Sequence, residues 1–165
     1  MKFIRAAGGQ ADFAGLDVSD PVAALALAGR LPPLDILVNN AGIGHVGNLA
    51  DTEAADFDRL HAVNVRSPFN LCKAFVPVML ARGHGSVINI ASIGGIVAVR
   101  DRLAYTATKH ALVGLTKSLA LGPLAHRRAV QRHLPRPRRD SVRHGPPRRV
   151  SRSCAGLPRD GLDAA

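Results

Sequence analysis

Asp35-Ile36-Leu37-Val38-Asn39-Asn40-Ala41-Gly42 is the stretch from which the fold is read. An aliphatic run closed by two amides, a small residue and a glycine has the make-up of a buried strand, here Asp35 to Asn39, that empties into a tight loop. The glycine-containing loop continues through Gly47. A second buried strand is expected at Ser86-Val87-Ile88-Asn89-Ile90, closed by Ala91-Ser92 and Gly94-Gly95. Between the two, Asp51 to Ala81 reads as helical, with Phe57, Leu60, Leu71, Phe75 and Val78 three or four apart along one apolar face. That face has Asn64 and Pro68 where apolar residues are expected. Strand, long helix, strand is the pattern of a parallel sheet with crossover helices.

The pattern extends both ways. Phe13 to Val18 reads as a short strand. Asp20 then serves as N-cap, with Pro21 at N1, for a helix to about Gly29 that Pro32-Pro33 ends. Downstream, Leu103 to Leu121 reads as a helix whose Ala107, Ala111, Gly114 and Ser118 form a stripe small enough for close packing. From Gly122 the character changes. His126 to Asp160 is rich in Arg and Pro, has no periodicity and lacks Phe, Ile and Tyr, so it cannot bury a core and is expected to be disordered. Residues 1–122 thus read as one α/β domain, a partial Rossmann-like doubly wound parallel sheet, and 123–165 as a basic tail.

Charge follows the same division. The 165-residue chain carries a net +10, which taken whole would point to nucleic acid or an anionic membrane. Residues 1–122 hold 11 Lys plus Arg against 9 Asp plus Glu, whereas 123–165 hold 11 Arg, no Lys and 3 Asp. The basic character belongs to the tail. Cys72 and Cys154 are the only cysteines, without ligand spacing, which argues against disulfides and structural zinc and for a reducing, cytoplasmic setting. The longest uncharged run, Gly83 to Val99, is too polar and too short to span a bilayer, so no membrane partner is expected. The apolar run Val22 to Gly29 follows Asp12, Asp17 and Asp20 without a basic leader, unlike a signal peptide.

Four residues carry the chemistry. Tyr105 and Lys109 stand four apart on one helix and share a face. A lysine ammonium favours the phenolate of a nearby tyrosine, which makes Tyr105 a candidate proton donor and acceptor. The plain alternative is a partly exposed tyrosine on an ordinary helix. Ser92 lies just past the carboxyl end of a strand, where open α/β sheets bind ligands, and its hydroxyl could bond a substrate carbonyl; alone, it reads equally as a turn cap. Asn64 beside Pro68 either satisfies freed backbone groups or holds a water in a proton relay. Gly42-Ile43-Gly44-His45-Val46-Gly47 matches G-x-G-x-x-G, but no helix opens directly from it and Asp58 reads as helical, so the match is accidental.

The set Asn39-Asn40-Ala41-Gly42, Asn64, Ser92 and Tyr105-x-x-x-Lys109, in this order, resembles the short-chain dehydrogenase/reductase family over about Ala11 to Leu121. The resemblance implies an oxidoreductase that interconverts a secondary alcohol and a ketone by hydride transfer with NAD or NADP. It makes Tyr105 the general acid/base and Lys109 its partner on the nicotinamide ribose. Ser92 would orient the small-molecule substrate and Asn64 would place the relay water. Asp17 and Val18 match the segment contacting the adenine ring, and Asn39, Asn40, Ala41 and Gly42 match the loop beside the cofactor. An intact member is expected to pair through its two long helices as a homodimer or homotetramer.

Two departures stand against the resemblance. The family's strand, T-G-x-x-x-G-x-G turn and helix, which grip the pyrophosphate, have no counterpart before Phe13. The loss is expected to strip the Phe13 strand of its neighbour and bare an edge of the Asp35 strand. After about Leu124 the family continues I-R-V-N-x-I-x-P-G, whereas this chain turns to Arg and Pro. Reading one base later permits I-G-V-R-C-N-A-I-C-P-G, so the tail is expected to be out-of-frame translation of a GC-rich gene. Two other functions are therefore set beside the oxidoreductase. One is a catalytically inactive truncated remnant unable to hold cofactor. The other, less favoured for want of aromatics among its arginines, is a basic-tailed nucleic-acid-binding protein.

Overall fold

A computed structural model describes residues 2–121 and the strand 130–133. Helix α1 (Lys2–Ala6) is exposed throughout and has no counterpart in the sequence reading. Helix α2 (Pro21–Arg30) starts as expected: the Asp20 carboxylate accepts the Val22 N–H at 2.8 Å, with Pro21 in the first turn. Strand β1 (Ile36–Asn39) follows, then α3 (Ala54–His61), a π-helical turn (Ala62–Arg66) and α4 (Ser67–Arg82), which Gly83 ends in the left-handed conformation at φ 79°. Strand β2 (Ser86–Ile90), a 3₁₀ turn (Ile93–Gly95), α5 (Leu103–Leu121) and β3 (Val130–His133) complete the order.

The expected α/β architecture with crossover helices is present. The three strands lie in the order β1-β2-β3 and all pair in parallel, with Asn39 opposite Asn89 in the β1–β2 register. Central β2 alternates half-buried and buried positions, and Val87 is wholly buried. Around it Leu37, Cys72, Phe75, Val76 and Met79 form the core that seats α4 on the sheet.

Several expectations are corrected. Phe13 to Val18 forms no strand: the segment is irregular, Phe13 is exposed, and the Asp17 carboxylate takes the N–H and hydroxyl of Ser19 into a turn. A strand needs a neighbour to accept its backbone bonds, and none of β1–β3 lies beside this segment. The Asp35 strand is half-buried rather than buried, since Ile36 and Val38 stay exposed on a strand that pairs on one side only among the described residues. Gly42–Gly47 opens no helix and Asp58 lies within α3, as the sequence reading held for that glycine pattern.

The long helical region is continuous, but its face is not the expected one. Pro68 has no N–H to give in α-helical register, and the Ser67 N–H reaches the Ala62 carbonyl five residues back. One extra residue in that turn rotates everything downstream by about 100°. The buried face of α4 therefore becomes Cys72, Phe75, Val76 and Met79, and Val78 turns outward. On α5 the small stripe faces out at Ala107, Gly114 and Ser118; the packed face is Ala104, Thr108, Leu112 and Thr116. Finally, Val130–His133 pairs with β2 inside the tail read as lacking regular structure, a correction at those four residues. The rest of residues 123–165, including the expected disorder and Cys154, lies outside the described residues.

Candidate active site

Helix α5 brings Tyr105 and Lys109 to the carboxyl end of β2. Lys109 is buried and donates from Nζ to the Ile90 carbonyl at 3.0 Å, while the same nitrogen lies 5.7 Å from the centre of the Tyr105 ring. Burial pulls the Lys109 ammonium below the usual lysine range, since little water is left to solvate its charge. An ammonium has three N–H donors, and among the described residues only the Ile90 carbonyl accepts from them. The Tyr105 hydroxyl has no hydrogen-bond partner among the described residues.

Ser92 caps the 3₁₀ turn, its Oγ accepting the Gly94 N–H at 3.2 Å. The turn-cap alternative is thus formed, and no described residue accepts the hydroxyl proton. The turn packs on α5 beside Tyr105 and Lys109. A Cβ at Gly94 would stand 3.5 Å from Tyr105 Cε1, and one at Gly95 would stand 2.8 Å from the Lys109 carbonyl oxygen. At Gly94 that is ordinary van der Waals contact; at Gly95 only glycine lets the turn come this close.

Asn64 is fully engaged. Its Oδ1 accepts the Ile43 N–H at 2.9 Å, and its Nδ2 donates to the Ile43 carbonyl at 2.9 Å and to Thr108 Oγ1 at 3.1 Å. The side chain ties the loop after β1 to α5 and has no donor left for a water, so the backbone-satisfying alternative is formed. At its α-helical position the Asn64 main-chain carbonyl faces Pro68, which has no N–H to give it. Gly42 completes the group: a Cβ there would lie 3.2 Å from Asn64 Oδ1 and 3.5 Å from Lys109 Nζ.

The adenine-side residues divide. Val18 joins Val38, Asn39, Asn40, Ala41 and Pro68 around a cleft of about 130 Å³. Asp17 is held in its own turn by Ser19, whose N–H and hydroxyl lower its carboxyl pKa. The Asn39 side chain points into the core, donating to Asn89 Oδ1 at 2.7 Å and to Cys72 Sγ at 3.6 Å. Sequence reading missed two residues. Thr108 accepts from Asn64 and donates to the Tyr105 carbonyl at 2.9 Å; Asn89 bridges Asn39 and Thr116. An amide in the middle of an aliphatic strand was the signal for Asn89, because a buried polar group requires partners. Thr108 gave none, since threonine is unremarkable in a helix.

The sequence profile described as short chain dehydrogenase matches residues 1–132. An uncharacterized oxidoreductase of Thermotoga maritima is 40% identical over 123 residues, covering 73% of this chain and 49% of that protein. D-beta-hydroxybutyrate dehydrogenase of Rhizobium meliloti is 44% identical over 95 residues, covering 58% of this chain and 37% of that one. Among solved structures, a gluconate 5-dehydrogenase from Burkholderia cenocepacia in complex with NADP and tartrate superposes with a TM-score of 0.71 at 36% identity, covering 79% of this chain and 52% of that one. The chain spans about half, or less, of the length of the curated relatives it matches.

Proposed function

The chain belongs to the short chain dehydrogenase family, and from that premise we propose that it is an oxidoreductase interconverting a secondary alcohol and a ketone with NAD or NADP. One observation carries the reading: Lys109 is drawn under the Tyr105 ring by the Ile90 carbonyl, with the Ser92 turn packed against the same ring. A nicotinamide, when bound, supplies or takes the hydride. Its ribose fits the two spare Lys109 donors, and Gly42 leaves the approach to them open. Among the described residues no glycine-rich turn leads from a strand into a helix, and the start of α2 is closed by the Asp20 carboxylate, which repels phosphate. The fit is therefore to the nicotinamide half of the cofactor.

The residues divide the proton work. Tyr105 gives a proton to the ketone oxygen, or takes it from the alcohol, through a hydroxyl with no competing partner among the described residues. Ser92 donates its free hydroxyl proton to the same substrate oxygen and stabilises the charge that develops there. Asn64 holds the relay water on its main-chain carbonyl rather than on its side chain. The exposed apolar hollow of about 250 Å³ between α4 and α5, lined by Phe69, Val76, Pro77, Leu115 and Leu119, supports self-association through these helices.

Titration of the purified chain with NADH and NADPH, followed by cofactor fluorescence, tests the reading and separates the two cofactors. Saturable binding of one, with oxidation of secondary alcohols by its oxidised form, is the expected result. Binding of neither would leave the remnant reading standing.

A further inference from the structure

Behind the site lies a buried polar line that the proposed chemistry does not use. Asn89 on β2 is 1% exposed and Thr116 on α5 is 2% exposed. Asn89 Nδ2 donates to Thr116 Oγ1 at 2.9 Å, and Thr116 donates onward to the Leu112 carbonyl at 2.7 Å. On its other side Asn89 Oδ1 accepts from Asn39 Nδ2 at 2.7 Å, across the register pair Asn39–Asn89. A strand is thus linked to a helix by side chains where apolar contact alone would let the two slide. Amides buried this deeply cost free energy when unpartnered; Asn89 is bonded at both ends, whereas Asn39 Oδ1 has no partner among the described residues, so the spacing is held at Asn89.

Its position relative to Lys109 gives the line a use. The bond from Lys109 to Ile90 joins α5 to β2, and the bond from Asn89 to Thr116 joins the same two elements. Asn89 immediately precedes Ile90, and Thr116 lies seven residues, two turns, after Lys109 on the same helix. The aliphatic stem of lysine has four flexible carbons and would not by itself hold its nitrogen on one carbonyl. We propose that Asn89 and Thr116 are positioning residues: their hydrogen bond sets the separation of β2 and α5 at which Lys109 Nζ reaches the Ile90 carbonyl. Through Asn39 the same line fixes the end of β1, from which the Asn40–Gly42 loop approaches Lys109. This inference rests on the proposed oxidoreductase reading for its purpose but not for its geometry.

The test follows Lys109 directly and needs no turnover. The ε-carbon of Lys109, labelled with carbon-13, is titrated by NMR in the parent, in Thr116→Val and in Thr116→Ser. Tyr105 is the titratable group facing Lys109, and no carboxylate contributes to its lowered pKa. Thr116→Val keeps shape and removes the hydroxyl, so the Lys109 titration moves up toward the ordinary lysine value as water enters. Thr116→Ser keeps the hydroxyl and leaves the titration near that of the parent. Val76→Ala, a core truncation on α4, lowers thermal stability without moving it. An unmoved Lys109 in Thr116→Val, or an equal shift in Val76→Ala, overturns the proposal. Failure of cofactor binding in the parent would strike the function alone, because the titration is read without cofactor.

Discussion

The seam between β2 and α5 and the flank made by α2 and β1 are both aliphatic, and they end in opposite conditions. At the seam Val87, Thr108, Leu112 and Thr116 are at most 2% exposed, and the buried amide of Asn89 is bonded on both sides. On the flank Val22 is 72% exposed, Leu25 55%, Ile36 59% and Val38 52%. Strands of parallel sheets are ordinarily covered on both faces and paired on both sides. β2 is paired on both sides and buried on one face; β1 has the composition but stands at an edge among the described residues. The difference teaches that the half around Tyr105 and Lys109 is closed by buried contacts, and that the other half of the sheet is composed for an interior it does not occupy here.

The strongest way to break this comparison is at the hydroxyl itself. Tyr105→Phe removes the proposed acid/base and is expected to lower turnover by about 10²–10⁴, the usual worth of such a group, with the chain's melting temperature little changed. Nicotinamide absorbance measures the first and circular dichroism the second. A variant that keeps its turnover would remove the chemistry from the seam.

Next in size is a pH effect where α4 meets β1. Burial pushes the Cys72 thiol up to about 11 from an ordinary 9.0. The native chain then keeps a proton that the unfolded chain sheds, so stability is whole below about pH 9 and falls as pH rises toward 11. The shift is worth about 2–3 kcal/mol in full. Urea midpoints at about pH 8.5 and 10.5 should drop further in the parent than in Cys72→Ala. Equal drops would mean that the seal behind β1 is as open as its edge.

A pair of matched substitutions sharpens the contrast further. Gly95→Ala drives a Cβ to 2.8 Å from the Lys109 carbonyl oxygen, backbone that cannot move aside, and should cost about 1–3 kcal/mol. Gly29→Ala, within α2 and with nothing within 4 Å, should stabilise by about 0.5–1 kcal/mol through helix propensity. Opposite signs in chemical denaturation are the expected outcome. The smallest effect is expected from Val38→Lys on the exposed edge: stability within about 0.5 kcal/mol of the parent and less aggregation by light scattering.

How much of this was legible depended on whether a signal was local. Asp20-Pro21, the aliphatic strands and the helix from Leu103 to Leu121 were readable because caps and periodicity act within one element. The Phe13 segment was read as a strand from its composition although the same reading expected its neighbour to be missing, and without that neighbour it stays irregular. The face of α4 was misread because Pro68 shifts the turn before it, although Pro68 itself was in plain view. Tyr105, Lys109, Ser92 and Asn64 were found as a set, and the structure gathers them around one end of β2 and α5. Their supports, Thr108 and Asn89, are visible only once two distant elements are packed together.

The strand order has a consequence for the moment of birth. β2 lies in the middle of the sheet, yet one of its two partners, β3, is the last described element in the chain. On a ribosome, where residues emerge in order, the tyrosine helix is complete before the strand that finishes its platform has left the exit tunnel. For that interval β2 exposes an unpaired edge. A nascent chain paused just after Leu121 would thus be the form most in need of a chaperone, and release of a few dozen more residues would end that need.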